Sequence, residues 1–174
     1  MADNVKIHQN LEKDGAYVPG KGVSPNRDSD AEFKKIEKKC LAFYSKGELN
    51  KLRKRRWYWE IEAEDVVEVA DFCFNALGCR FSIATGADTP GGFTILYHYS
   101  LDYIGLMINV RVTLPHDAPQ VDSLTVLLGR GFEWIEREMH EMLGIEFRGL
   151  DDTRHLLLPD DSPEGYHPYR RSFG

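Results

Sequence analysis

Over residues 131–144 the apolar side chains Phe132, Ile135, Met139, Met142 and Leu143 recur at i, i+3, i+7, i+10 and i+11, which lines one face of an α-helix. Gly144 follows directly, and a glycine there accepts the left-handed backbone that ends helices. Beyond it, Pro159, Pro163 and Pro168 each remove a backbone donor and extend the residue before them. Residues 149–174 are therefore predicted to run as an extended tail. With few apolar residues the tail cannot make its own core, and the surface it needs is read as belonging partly to another subunit.

The same reading applies upstream. Ser29 and Glu32 have capping-box spacing, and Phe33, Ile36, Cys40, Leu41 and Tyr44 form a stripe with Lys34, Lys35, Lys38 and Lys39 facing water. Gly47 interrupts that helix. Residues 56–61, rich in aromatics, predict a strand. Glu64 and Asp65 introduce a second helix with Val66, Val69, Ala70, Cys73 and Leu77 inward, closed by Gly78. Residues 79–85 predict another strand and 86–92 a turn. Strict alternation over 93–101 and 104–112, joined by Asp102-Tyr103, is the strongest hairpin signal. Residues 115–119 connect to a short helix over 122–128. The predicted fold is α+β: a small, mainly antiparallel sheet with helices packed on one face over residues 29–148, preceded by a flexible leader, 1–28, and followed by the tail.

Composition narrows the function. A chain of 174 residues is long enough for one core, and a net charge of -6 argues against nucleic acid, whose partners usually present a basic footprint. The exception is the run 51–56, Lys51-Leu52-Arg53-Lys54-Arg55-Arg56. It suits an acidic partner, anionic lipid or nucleic acid, or simply a solvated helix end where cations complement the dipole. No apolar run has the length of a membrane span, and the N-terminal residues lack a signal-peptide core, so a cytoplasmic location is expected. The three cysteines, Cys40, Cys73 and Cys79, form no C-x-x-C pair and are expected to be buried free thiols rather than cluster ligands.

On the helix over 132–143, a step of about 100° per residue places Glu133, Arg137 and Glu141 along the outer face and Glu136 and Glu138 on opposite flanks of the stripe. Trp134 falls among those charges, as an interface anchor or as a ring covered by the chain's own tail. Glu136 and His140 stand at i, i+4 and could share a cation, but two ligands are not a metal site, and His155 and His167 lack metal spacing. There is no G-x-S-x-G, P-loop or G-x-G-x-x-G motif, so nothing in the motifs argues for an enzyme.

The run Trp134, Glu136-Arg137-Glu138, Glu141, Gly144-Ile145-x-Phe147-x-Gly149, Asp152-x-Arg154, Leu156-Leu157, Gly165 and His167-Pro168-x-Arg170-Arg171-x-Phe173 resembles the signature of the NuoC-type, thirty-kilodalton subunit family of respiratory complex I. The hairpin FTILYHYSL and INVRVTLP extends the likeness. Departures are Glu141 for Asp, Leu143 for Phe, Leu150-Asp151 for His-Pro and His155 for the second Arg. The segment 158–166 looks closer to the homologous subunit of energy-converting, membrane-bound NiFe hydrogenases. The resemblance implies a cofactor-free assembly subunit that docks on the large catalytic subunit beside an iron–sulfur subunit, its C-terminal segment wrapping the partner. Iron–sulfur clusters and the Ni-Fe centre would sit in those partners, and membrane contact would come only through them, on the cytoplasmic face. The residues carried over as partner-binding are Trp134, Glu136, Arg137, Glu138, Arg154, His167, Pro168, Arg170, Arg171 and Phe173. The competing readings are the corresponding subunit of an NADH:quinone oxidoreductase, an independent carboxylate/histidine enzyme, and an adaptor acting through residues 51–56.

Overall fold

The computed structural model describes residues 29–171, so the leader 1–28 and Phe173 lie outside the described residues. Five strands form the main sheet in the order β1-β2-β5-β4-β3, with β1 Leu49–Arg53, β2 Arg56–Glu60, β3 Arg80–Thr89, β4 Gly92–Leu101 and β5 Leu106–Leu114. Three pairings are antiparallel, and β2 with β5 is parallel. A parallel neighbour needs a long crossover, and here the second helix and the β3–β4 hairpin supply it.

The pleat puts Trp57, Trp59, Ile95, Tyr97, Tyr99, Ile108, Val110 and Val112 on one face, each 2% exposed or less. The helices cover that face, as the alternation predicted. From α1 (Ser29–Phe43), Phe33 meets Trp57 edge-on at 5.9 Å between ring centroids. Helix α2 (Val66–Asp71) opens with a 3-10 turn and widens into a π turn over Phe72–Ala76, which sets Phe74 edge-on to Tyr99 at 5.4 Å. From α4 (Arg130–Leu143), Phe132 packs on Phe81 at 4.2 Å. Cys40, Cys73 and Cys79 are free and buried here, and burial pushes the Cys40 thiol up to about 12.

Several expectations are corrected. The basic run is not a helix end, because α1 stops at Phe43 and residues 49–53 pair with β2. Lys51 reaches Glu37 at 2.6 Å and Lys54 reaches Asp30 at 2.7 Å, tying the hairpin to α1. Leu41, assigned to the α1 stripe, is 44% exposed. Gly86 lies inside β3, not in a turn, and the chain reverses at Pro90-Gly91. A Cβ on Gly86 would come within 2.6 Å of Leu143 Cδ1, so the missing side chain is what lets α4 lie close on β3. Residues 120–128 are two elements: β6 (Gln120–Asp122), paired in parallel with β7 (Glu146–Arg148), and a single-turn α3 (Thr125–Leu128). Three-residue strands carry too little pattern to be read ahead of their partner.

Candidate partner-docking surface

Helix α4 is where the singled-out residues meet. Its inward stripe is as predicted, with Phe132, Met139, Met142 and Leu143 buried, and Gly144 takes φ 68° at the C-terminus. Glu136 departs from its expected flank position and is fully buried. Its Oε2 accepts from Ser123 Oγ at 2.5 Å and its Oε1 from Leu124 N at 2.7 Å. Those contacts place a carboxyl at the junction of β6 and α3, where it closes the backbone of the turn. Burial pushes its pKa up to about 7, and the two donors only partly offset the loss of water. The carried-over assignment of Glu136 to a partner contact is therefore replaced by an internal role.

The outer ladder is also corrected. Arg137 and Glu141 are 8% and 6% exposed, because the chain's own tail lies across them. Arg137 Nη2 donates to the Arg154 carbonyl at 2.8 Å, and Nη1 stands 3.2 Å from Asp152. Glu141 accepts the consecutive backbone N–H groups of Leu156, Leu157 and Leu158 at 3.0, 2.9 and 3.1 Å, and His155 Nδ1 at 2.9 Å. Burial would raise this carboxyl, but the four donors outweigh it and hold it below the usual carboxylate range.

Further on, His167 Nδ1 donates to the Glu141 carbonyl at 2.8 Å and Arg170 Nε to the Leu143 carbonyl at 2.7 Å. These are orphan carbonyls of the helix end, and the tail supplies their donors. Arg170 also lies 5.1 Å above the Phe93 ring, and Arg171 N donates to Asp88 at 2.8 Å. A Cβ on Gly144 would come within 2.6 Å of His167 Nε2, so the glycine is a seat for the tail as well as a cap. Pro168 is half-buried between them. Residues 152–158 and 167–171 thus contact the chain's own domain.

Four of the predicted docking residues stay open: Trp134, Glu138, Arg154 and Arg171, the last hydrogen-bonded among the described residues only through its backbone N–H. Trp134 is 64% exposed, uncovered by the tail. Glu138, one turn on, is exposed and forms no ion pair or hydrogen bond among the described residues. Arg154 is exposed and forked onto Asp152 at 2.9 and 2.7 Å, a pairing that holds Asp152 well below the usual carboxylate range. Beside Glu138 a cleft of about 160 Å³ lies between β3 and α4, lined by Gly86, Met139, Leu143 and Tyr169 among others. Glu136 and His140 turn apart, His140 donating to the Ile145 carbonyl at 2.9 Å, and among the described residues no three His, Cys, Asp or Glu side chains converge as metal ligands.

Sequence reasoning missed the tail-binding roles of Glu141, His155, Asp88 and Gly144. A signal existed: a charged helix face and a coreless ribbon of backbone donors are complementary, and the two follow each other in the chain.

The chain belongs to the family described as respiratory-chain NADH dehydrogenase, 30 Kd subunit, which matches residues 59–174. It is 31% identical to the beta subunit of the membrane-bound hydrogenase of Pyrococcus furiosus, over 70% of this chain and 72% of that one. It is 32% identical to the NuoC-type subunit of the NADH-quinone oxidoreductase of Ruegeria pomeroyi over 66% of this chain, but spans 58% of that relative. Formate hydrogenlyase subunit 5 of Escherichia coli is 32% identical over 60% of this chain and 19% of its own length. The fold is shared with a chain of the membrane-bound sulfane sulfur reductase, an archaeal respiratory membrane complex, at TM-score 0.71 and 21% identity, covering 82% of this chain and 86% of that one. A trypsin-resistant fragment of Nqo5 matches at TM-score 0.58 and 21% identity, covering 69% and 98%. The chain is thus of the subunit type found in complex-I-like oxidoreductase complexes. Among the described residues no helix is long and apolar enough to cross a membrane.

Proposed function

We propose that this chain is a cofactor-free docking subunit of a complex-I-like, membrane-bound oxidoreductase, of the energy-converting NiFe hydrogenase branch. It sits against the large catalytic subunit and the neighbouring iron–sulfur subunit on the cytoplasmic face. The observation that carries this is Trp134, a large aromatic left 64% exposed on the helix that bears the family signature, with Glu138, unpaired among the described residues, one turn on. Tryptophan is among the residue types that dominate interface energetics. The hydrogenase branch is supported by the fuller coverage of the Pyrococcus furiosus subunit, 72% against 58% for the Ruegeria pomeroyi one. In this reading the iron–sulfur and Ni-Fe centres belong to the partners, and this chain positions them without reacting.

The test is isolation of the native complex through a tag on this chain, with metal analysis of companions and of the chain alone. A nickel-bearing large subunit is the expected companion. A quinone-site subunit in its place would move the chain to the NADH:quinone branch, and stoichiometric metal on the isolated chain would overturn the docking reading.

A further inference from the structure

Resting on that docking reading, we infer that the edge of β3, on which no strand pairs among the described residues, with the β3–α4 cleft beside it, is a strand-addition site for an extended segment of a partner subunit. That segment carries an aliphatic residue for the cleft and a basic residue for Glu138.

The two edges of the main sheet are built differently. The β1 edge is five residues long, has a register shift between Asn50 and Arg53, and carries Lys51 and Arg53. Short length, irregularity and cations are the devices by which proteins keep an edge from pairing with another chain. The β3 edge is ten residues long, and between Arg80 and Asp88 it carries no charge at all. Its one irregularity lies between Phe81 and Ile83, leaving Ala84, Thr85, Gly86 and Ala87 in regular register with β4. Ile83 is 49% exposed. The charges at its ends are already used, Arg80 on Asp102 and Asp88 on His116 and on the Arg171 N–H.

An edge of this kind offers main-chain hydrogen bonds to an added strand, and specificity then comes from pockets for alternate side chains. The cleft of about 160 Å³ is such a pocket, apolar where Met139 and Leu143 close over Gly86. On its α4 rim stands Glu138, the uncompensated carboxylate, with Trp134 one turn away. A cation next to an aliphatic residue meets both demands at once, stacking on the indole while pairing with the carboxylate.

Amide hydrogen exchange at residues 82–87 tests this, measured on the free full-length chain and on the complex purified through a tag on this chain. The expected result is exchange at least about 100-fold slower in the complex than in the free chain. The double variant Ile83→Lys/Thr85→Lys should lose that protection in the complex, and Glu138→Lys should reduce it. Both variants should melt as the parent does when free, since these side chains are exposed. Equal exchange in the two states would overturn the inference while companions still co-purify, leaving the docking reading standing. Protection already present in the free chain and lost on deleting residues 1–28 would assign the edge to the chain's own leader. Protection that rises with concentration of the free chain would assign it to a second copy. Either outcome overturns the partner assignment, and absence of any companion would overturn both readings.

Discussion

Glu136 shows how far a single side chain can depart from its place on a helical wheel. The wheel put it at the margin of the apolar stripe, and the structure buries it completely because β6 and α3 arrive over that margin with Ser123 and Leu124. Its pKa rises from 4.5 to about 7. The folded state therefore binds the proton more tightly than the unfolded one, so stability is greatest below about pH 4.5 for this group and falls as pH rises toward 7. That shift corresponds to a loss of up to ~3 kcal/mol across the window. Glu136→Gln, which mimics the protonated acid by accepting from Leu124 N and donating to Ser123 Oγ, should flatten the melting profile between pH 5 and 7. An unchanged profile in the variant would show that the carboxyl stays hydrated. Gly144 carries a second residue-scale expectation. Gly144→Ala strains a left-handed position by about 1 kcal/mol and pushes on His167 and Arg170. Hydrogen exchange should then rise at Tyr169, whose N–H donates to the Met142 carbonyl, with β4 unaffected.

At the scale of elements, α4 and the tail are one unit. Glu141 holds three successive N–H groups, and each such charge-assisted bond contributes about 1.5–3 kcal/mol. Glu141→Ala should free residues 155–158, raising their amide exchange at least ~30-fold, while the sheet keeps its protection. Protection unchanged in that segment would mean the ribbon is held by its leucines instead. Because the donors hold the Glu141 carboxyl below the usual range, its contribution is complete above the ordinary carboxylate pKa and is lost as pH falls through the lowered value. Acid should loosen the tail before it loosens the core. The prolines announced an extended ribbon, but which surface it lies on was decided by groups of α4 that lack partners within the helix: Arg137 and Glu141 on its outer face, and the carbonyls of Leu143 and Gly144 at its end.

For the whole molecule, the division between fold and assembly is the testable point. Trp134→Ala removes a ring that is mostly in water, so the free chain should melt within about a degree or two of the parent, whereas the complex should lose about 2 kcal/mol or more of association free energy. A large fall in melting temperature with intact co-purification would make Trp134 part of the core. Truncation before Pro159 keeps the Glu141 clasp but removes His167 and Arg170, uncovering the end of α4 and the edge of Phe93. The α+β domain should still fold, and association with the large subunit should fail. A truncated chain that co-purifies with every companion would show that residues beyond 158 serve the domain alone.

The local rhythm of the chain determined the elements that repeat long enough to show a period: α4 with its glycine stop, the 93–112 hairpin and the one-sided packing of helices on the sheet. These follow from nearest-neighbour geometry, in which side chains two or about 3.6 residues apart share a face. The tertiary structure alone decided the pairing of β2 with β5, the short strands β6 and β7, the in-strand place of Gly86 and the inward turn of Glu136, Arg137 and Glu141. Each of those depends on a group distant in sequence arriving to satisfy a donor, a charge or a close approach. A polar residue on a helix reads as solvated until the chain that covers it is in place.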